Sequence, residues 1–175
     1  MQPRIISLVP SLSDTICTLG GQQQIIGCTS FCVRPANLHR TAAIVGGTKD
    51  PDVEQMRQIG ADLVLVNEEE NRLEDVRQIE SFSEVHHTFP RSPRDVPSML
   101  KKLGAAVRLG QTADLTAEKI QRKIDEIDLL PKIEQSFAYL IWKDPLMVVS
   151  SDTYISKALQ MRGFRNVYED SPIRY

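Results

Sequence analysis

The chain has 175 residues and is nearly charge-balanced, with 21 Lys and Arg against 23 Asp and Glu and a net charge of −2. It lacks the basic excess with which nucleic-acid binders neutralise phosphates, and no apolar run approaches the roughly 20 residues of a bilayer-spanning helix. At 41% hydrophobic and 25% charged it suits a folded protein with one good core, too short for two full-sized lobes.

Arg4 to Val9 is a continuous apolar run ended by Pro10, the pattern of a strand buried on both faces of a parallel sheet. Ser11 stands where a helix cap belongs, with Asp14 three positions on, and the helix stops at Gly20-Gly21. Ile25 to Thr29 reads as the next strand, Phe31 to His39 as a loop broken by Pro35, and Gly46 to Pro51 as a turn feeding a helix from Asp52 to Ile59. Asp62 to Val66 is the clearest buried strand. The polar loop Asn67 to Arg72 follows, then a helix with Leu73, Val76 and Ile79 on its apolar face, a strand from Val85 to Phe89 and a helix from Val96 to Leu109.

Strands alternating with helices imply an α/β fold: a Rossmann-like parallel-sheet N-terminal lobe over residues 1–110. Thr112 to Leu130 reads as one long polar helix with the stripe Ala117, Ile120, Ile124 and Ile127, stopped by Pro131, so residues 111–131 form a connecting strut. Residues 132–175 begin an incomplete second α/β lobe: a strand from Phe137 to Trp142, a helix capped by Ser151 or Asp152, and a short strand from Phe164 to Tyr168.

The candidate chemistries are each outweighed by a plainer reading. Gly46-Gly47-Thr48-Lys49 lacks the order of a phosphate-binding loop. His86 and His87 are strand neighbours that face opposite sides, and Cys28, Cys32 and His39 have no fourth ligand at a useful spacing. Ser11 lacks a nucleophile elbow and reads as a cap, while Glu68, Glu69 and Glu70 read as a solvated helix approach. Three cysteines, Cys17, Cys28 and Cys32, form no even framework and read as reduced, buried thiols. No leader-like segment precedes the first strand, so the chain as written is expected to stay in the cytoplasm. Neither an enzyme nor a resident cofactor or metal is expected. What remains is positional: ligands of open parallel sheets collect beyond the carboxyl ends of the strands, where Pro10-Ser11, Ser30-Phe31, Thr48-Lys49 and Asn67 to Arg72 fall, with Trp142-Lys143-Asp144 in the second lobe.

Several stretches, in order and spacing, carry a resemblance: Arg4 to Ser11 with Asp14-Thr15, Ile26-Gly27, Phe31 to Pro35, Val45 to Lys49 with Pro51, Gly60 to Val64, Asn67 to Arg72, and Tyr139 to Trp142. Together they resemble the helical-backbone (class III) substrate-binding proteins of ABC importers, the vitamin B12 (cobalamin) and iron-siderophore group. The resemblance implies two Rossmann-like lobes joined by a long helix, a non-catalytic role, a metal-chelate ligand held between the lobes, an ABC permease as partner and a periplasmic or cell-surface location. Carried over by position, the ligand contacts are Pro10, Phe31, Thr48, Asn67, Trp142 and Tyr175, and Glu54 is the carboxylate offered to the permease. Thr48 and Asn67 stand where B12 binders present broad rings, and Asp14 replaces the usual Glu. The short second lobe implies unpaired strand edges and self-association. A cytosolic relative on this scaffold, acting as an enzyme or cofactor-handling factor, is the alternative.

Overall fold

The structure is a computed structural model that describes all 175 residues, Met1–Tyr175. The chain divides into two compact units, Met1–Phe89 with Lys101–Ala113 and Pro90–Leu100 with Asp114–Tyr175.

The first unit holds five parallel strands: β1 (Ile5–Ser7), β2 (Ile25–Cys28), β3 (Ala43–Ile44), β4 (Leu63–Asn67) and β5 (Glu84–Thr88), in the order β3-β2-β1-β4-β5. Helices α1 (Pro10–Thr18), α2 (Leu38–Thr41), α3 (Val53–Ile59) and α4 (Leu73–Glu80) connect them. Two longer helices, α5 (Val96–Ala106) and α6 (Gly110–Leu129), each contribute residues to both units.

Because successive strand side chains point to opposite faces, the central strands feed two separate cores. Ile5, Leu63 and Leu65 pack with Leu12 and Ile16 of α1 and Leu103 of α5. Ile6, Val64 and Val66 pack with Met56 of α3 and Val76 and Ile79 of α4. A sheet apolar on both faces needs helices on both, which is why these strands read as unbroken apolar runs rather than alternating ones.

Helix ends follow local chemistry, with two departures from the sequence reading. Asp52 caps α3, accepting from Gln55 N at 2.9 Å, and Gly60 ends it at φ +67°. Ser11, in contrast, is not a cap. Val9 holds that position and Pro10 opens α1, leaving Ser11 exposed in the first turn. Proline lacks an N–H and has φ preset for a helix, so the helix begins earlier than the serine suggested. Leu73, assigned to the apolar face of α4, is 59% exposed, because that helix seats only Val76 and Ile79.

Where α5 and α6 meet in the first unit, glycine is required. A Cβ built on Gly104 would lie 2.1 Å from the Ala113 Cβ, so the two backbones approach as closely as they do only without that methyl.

The second unit contains two small sheets and one further helix, α7 (Tyr154–Gln160). The single strand expected from Phe137 to Trp142 is two strands: β6 (Ser136–Phe137) pairs parallel with β9 (Arg165–Asn166), and β7 (Leu140–Trp142) pairs antiparallel with β8 (Met147–Val148). The backbone changes partner between them. The Phe137 carbonyl accepts from Val167 N, and the Tyr139 carbonyl accepts from Val149 N, each at 3.0 Å. β6 and β7 therefore each have a partner on one side and keep an unpaired edge on the other, so the open edges that the sequence suggested remain on one side of each strand.

Thr153 caps α7, accepting from Ser156 N, in place of the expected Ser151 or Asp152. Asp152 instead pairs with Arg91 at 2.7 Å and Lys157 at 3.0 Å, and the Ser151 hydroxyl donates to the Glu169 carbonyl. Along α6, Ala117 and Ile124 are buried and Ile120 and Ile127 half-buried, as the stripe required.

Candidate functional site

The sheet order reverses at β1, with β2 and β3 on one side and β4 and β5 on the other. In open α/β sheets ligands gather at such a switch point, beyond the carboxyl ends of the strands. All five strands run parallel, so their carboxyl ends share one edge. Pro10 follows β1, Phe31 follows β2, Thr48 follows β3 and Asn67 ends β4. Four of the six residues assigned to ligand binding therefore stand along one rim.

The rim is tied together by a residue that sequence reasoning placed only in a polar loop. Asn71 is 7% exposed, and its side chain spans three strand exits. Its Nδ2 donates to the Thr48 carbonyl at 2.9 Å and the Leu8 carbonyl at 3.4 Å, while its Oδ1 accepts from Asn67 N at 2.9 Å. Asn67 in turn accepts from Glu69 N through Oδ1, which shapes the loop that follows. Only an amide, with donors and acceptor on one planar head, makes these contacts together. The burial of Asn71 could not be read from the sequence, where the asparagine is one more polar residue after three glutamates.

Phe31 is held outward by its neighbour. Cys32 is 1% exposed; its Sγ accepts from Ser13 Oγ at 3.1 Å and lies 3.2 Å from Thr29 Oγ1. Because Cys32 points inward, Phe31 and Val33 on either side point out, 60% and 65% exposed. The Phe31 ring lies against Gly47, where a Cβ would come within 3.3 Å of it and 2.3 Å of Asp50 Oδ1. The turn is joined to the β3 exit by Ser30 N donating to the Gly46 carbonyl at 2.9 Å. Hydrogen bonding from Cys28, then from Ser13 and Thr29, lowers the Cys32 thiol to about 6 against the opposing effect of burial. The same contact with Cys32, with burial adding to it, pushes the Cys28 thiol up. Cys28 and Cys32 are free and buried as expected, whereas Cys17 is half-buried.

His39 does not join the thiols: its Nε2 donates to the Thr29 carbonyl at 3.2 Å. His86 is half-buried, and burial, with His87 adding to it, lowers its pKa. His87 sits 3.1 Å from Glu80 Oε1 and, with Asn67, Asn71 and Val76, lines a cavity of about 400 Å³ beside the rim.

Trp142 and Tyr175 belong to the second unit. Trp142 is 63% exposed, its Nε1 donating to the Asp144 carbonyl at 2.9 Å. Tyr175 is 47% exposed beside Arg174. Glu54 lies in the first turn of α3, accepts from Gln58 and sits 3.6 Å from Arg57, with its side chain 70% exposed.

Comparison with solved structures gives the fold its place. The periplasmic vitamin B12 binding protein of Vibrio cholerae superposes with a TM-score of 0.84 at 14% identity, over 99% of this chain and 69% of that one. This chain has the periplasmic binding protein fold. The periplasmic heme-binding protein RhuT of Roseiflexus sp. RS-1 shares this binding-protein fold, at a TM-score of 0.79 and 20% identity over 99% of this chain and 69% of that one. A curated vitamin B12-binding protein of Pectobacterium carotovorum subsp. carotovorum (strain PC1) is 22% identical over 97% of this chain. The chain spans 63% of the length of that relative. No family model matches the sequence.

Proposed function

We infer that the chain is the solute-binding component of an ABC uptake system, and that its ligand is a metal chelate: a corrinoid such as cobalamin, a haem or a ferric siderophore. The observation that carries this reading is the rim: one exposed aromatic ring, Phe31, backed by the half-buried Thr48 and Asn67 and fixed by a buried amide, at the switch point of a sheet whose fold is shared with vitamin B12- and heme-binding periplasmic proteins. A flat macrocycle or a ferric chelate rests its apolar face on such a ring, while the carbonyls and hydroxyls around it meet the polar periphery.

In this reading Pro10, Phe31, Thr48 and Asn67 are ligand contacts, and Trp142 and Tyr175 supply further rings. Glu54 is the carboxylate presented to an arginine on the permease, its exposure being what such a contact needs. No chemical step is assigned to any residue. The relatives are described as periplasmic, which supports a periplasmic location; the cytoplasmic location expected from the first residues has no support among them.

The test is calorimetric titration of the 175-residue chain with cyanocobalamin, haem and a ferric hydroxamate. Saturable one-to-one binding of one of them is expected. Absence of heat with all three would remove the reading.

A further inference from the structure

The second unit carries an open apolar groove of about 410 Å³ between α6 and α7. Its floor is Ile120, Ile124 and Ile127 of α6 with Met161 just beyond α7. Along α6 the lining residues fall at 116, 119, 120, 123, 124 and 127, the i, i+3, i+4, i+7 spacing of one helix face, and they run for about 16 Å at 1.5 Å per residue. That length and spacing match three turns of a packed helix rather than a compact small molecule.

Every charged side chain lining the groove is a cation: Lys119, Lys123 and Arg162. Lys119 and Lys123 sit one turn apart on α6. Lys123 is engaged by the exposed Glu126 at 2.7 Å, whereas Arg162 Nη1 is shielded from solvent and has no hydrogen-bond partner. Lys119 and Lys123 are exposed, so they are the lining cations that carboxylates arriving with an apolar surface can reach.

We propose that the α6/α7 groove is a docking site for an amphipathic helix of a partner protein, about three turns long, with an apolar stripe seated on Ile120, Ile124 and Ile127 and glutamates or aspartates flanking it to meet Lys119 and Lys123. The groove and the strand-exit rim have no residue in common, so loss of chelate binding would leave the peptide result unchanged.

The test uses the whole chain and two labelled helical peptides of about 14 residues, identical in their leucine stripe and differing only in whether glutamate or lysine flanks it. Fluorescence anisotropy is expected to show the acidic peptide binding at least about tenfold more tightly than its basic twin, with the preference shrinking as salt is raised. Lys119→Glu/Lys123→Glu, at exposed positions that leave the fold intact by circular dichroism, is expected to abolish or invert the preference. Ile120→Glu, at a half-buried groove position, is expected to abolish binding of either peptide. Equal binding of both peptides, binding of neither, or a self-associated chain by sedimentation that becomes monomeric in the double variant would overturn the proposal; the last would assign the groove to a second copy.

Discussion

Replacing Asn71 by alanine removes three hydrogen bonds that tie the exits of β1, β3 and β4 together. At about 1 kcal/mol net per bond, and less for the 3.4 Å contact with Leu8, the loss comes to about 2–3 kcal/mol. For a chain of this size that corresponds to a fall in Tm of about 5–10 °C. Asn71→Asp is expected to be at least as costly, because a carboxylate keeps the acceptor for Asn67 N but turns an oxygen toward the Thr48 and Leu8 carbonyls. The assay is urea unfolding followed by far-ultraviolet circular dichroism for the three proteins side by side. A loss below about 0.5 kcal/mol for the alanine variant would mean that the rim loops hold their shape without the amide, contrary to the hydrogen-bond argument.

Other positions give independent checks. Gly104→Val is expected to cost about 2–4 kcal/mol by forcing α5 and α6 apart at Ala113, while a control alanine at the exposed Lys101 changes stability by under about 0.5 kcal/mol; equal effects would refute the close-approach argument. Burial lowers the His86 pKa, so below the ordinary histidine value of about 6.5 the unfolded chain holds more protons than the folded one. Stability should therefore fall as the pH drops through that window, and His86→Gln should flatten the dependence; an unchanged slope would contradict the assignment. Ultraviolet thiolate absorbance should titrate near pH 6 in the native chain and lose that step in Cys32→Ser; a first step only above about pH 8 would remove the hydrogen-bond account of Cys32.

The parallel sheet was legible because β1 and β4 are buried on both faces and leave unbroken apolar runs between turn residues. The helix at Asp52 was legible because cap and terminal glycine are local chemistry. The long helix was legible because a polar 20-residue segment with one stripe has few alternatives. Elsewhere, tertiary context overrode local pattern. Phe137 to Trp142 is one apolar run, yet its backbone serves two different sheets, and nothing local marks the point of exchange. Ser11 has the right chemistry for a cap and lost the position to the proline before it.

At the rim, the rule that ligands gather at strand exits was enough to align Pro10, Phe31, Thr48 and Asn67. The brace beneath them was not legible, because Asn71 contacts Leu8 and Thr48 across 63 and 23 residues of sequence. The inward turn of Cys32, which sets the outward direction of Phe31, likewise depends on Ser13, 19 residues earlier.

The most direct measurement compares chelate binding by the native chain and by Phe31→Ala using the same calorimetric titration. Full burial of a phenylalanine side chain is worth about 1.5–3 kcal/mol; with 60% of Phe31 exposed before binding, its ring can contribute about 1–2 kcal/mol, a five- to thirty-fold change in Kd by the usual arithmetic of about 1.4 kcal/mol per decade. The account predicts one chelate bound by the native chain and weakened by about that factor in the variant, with the unfolding curve unchanged. Equal affinities in the two proteins would contradict it.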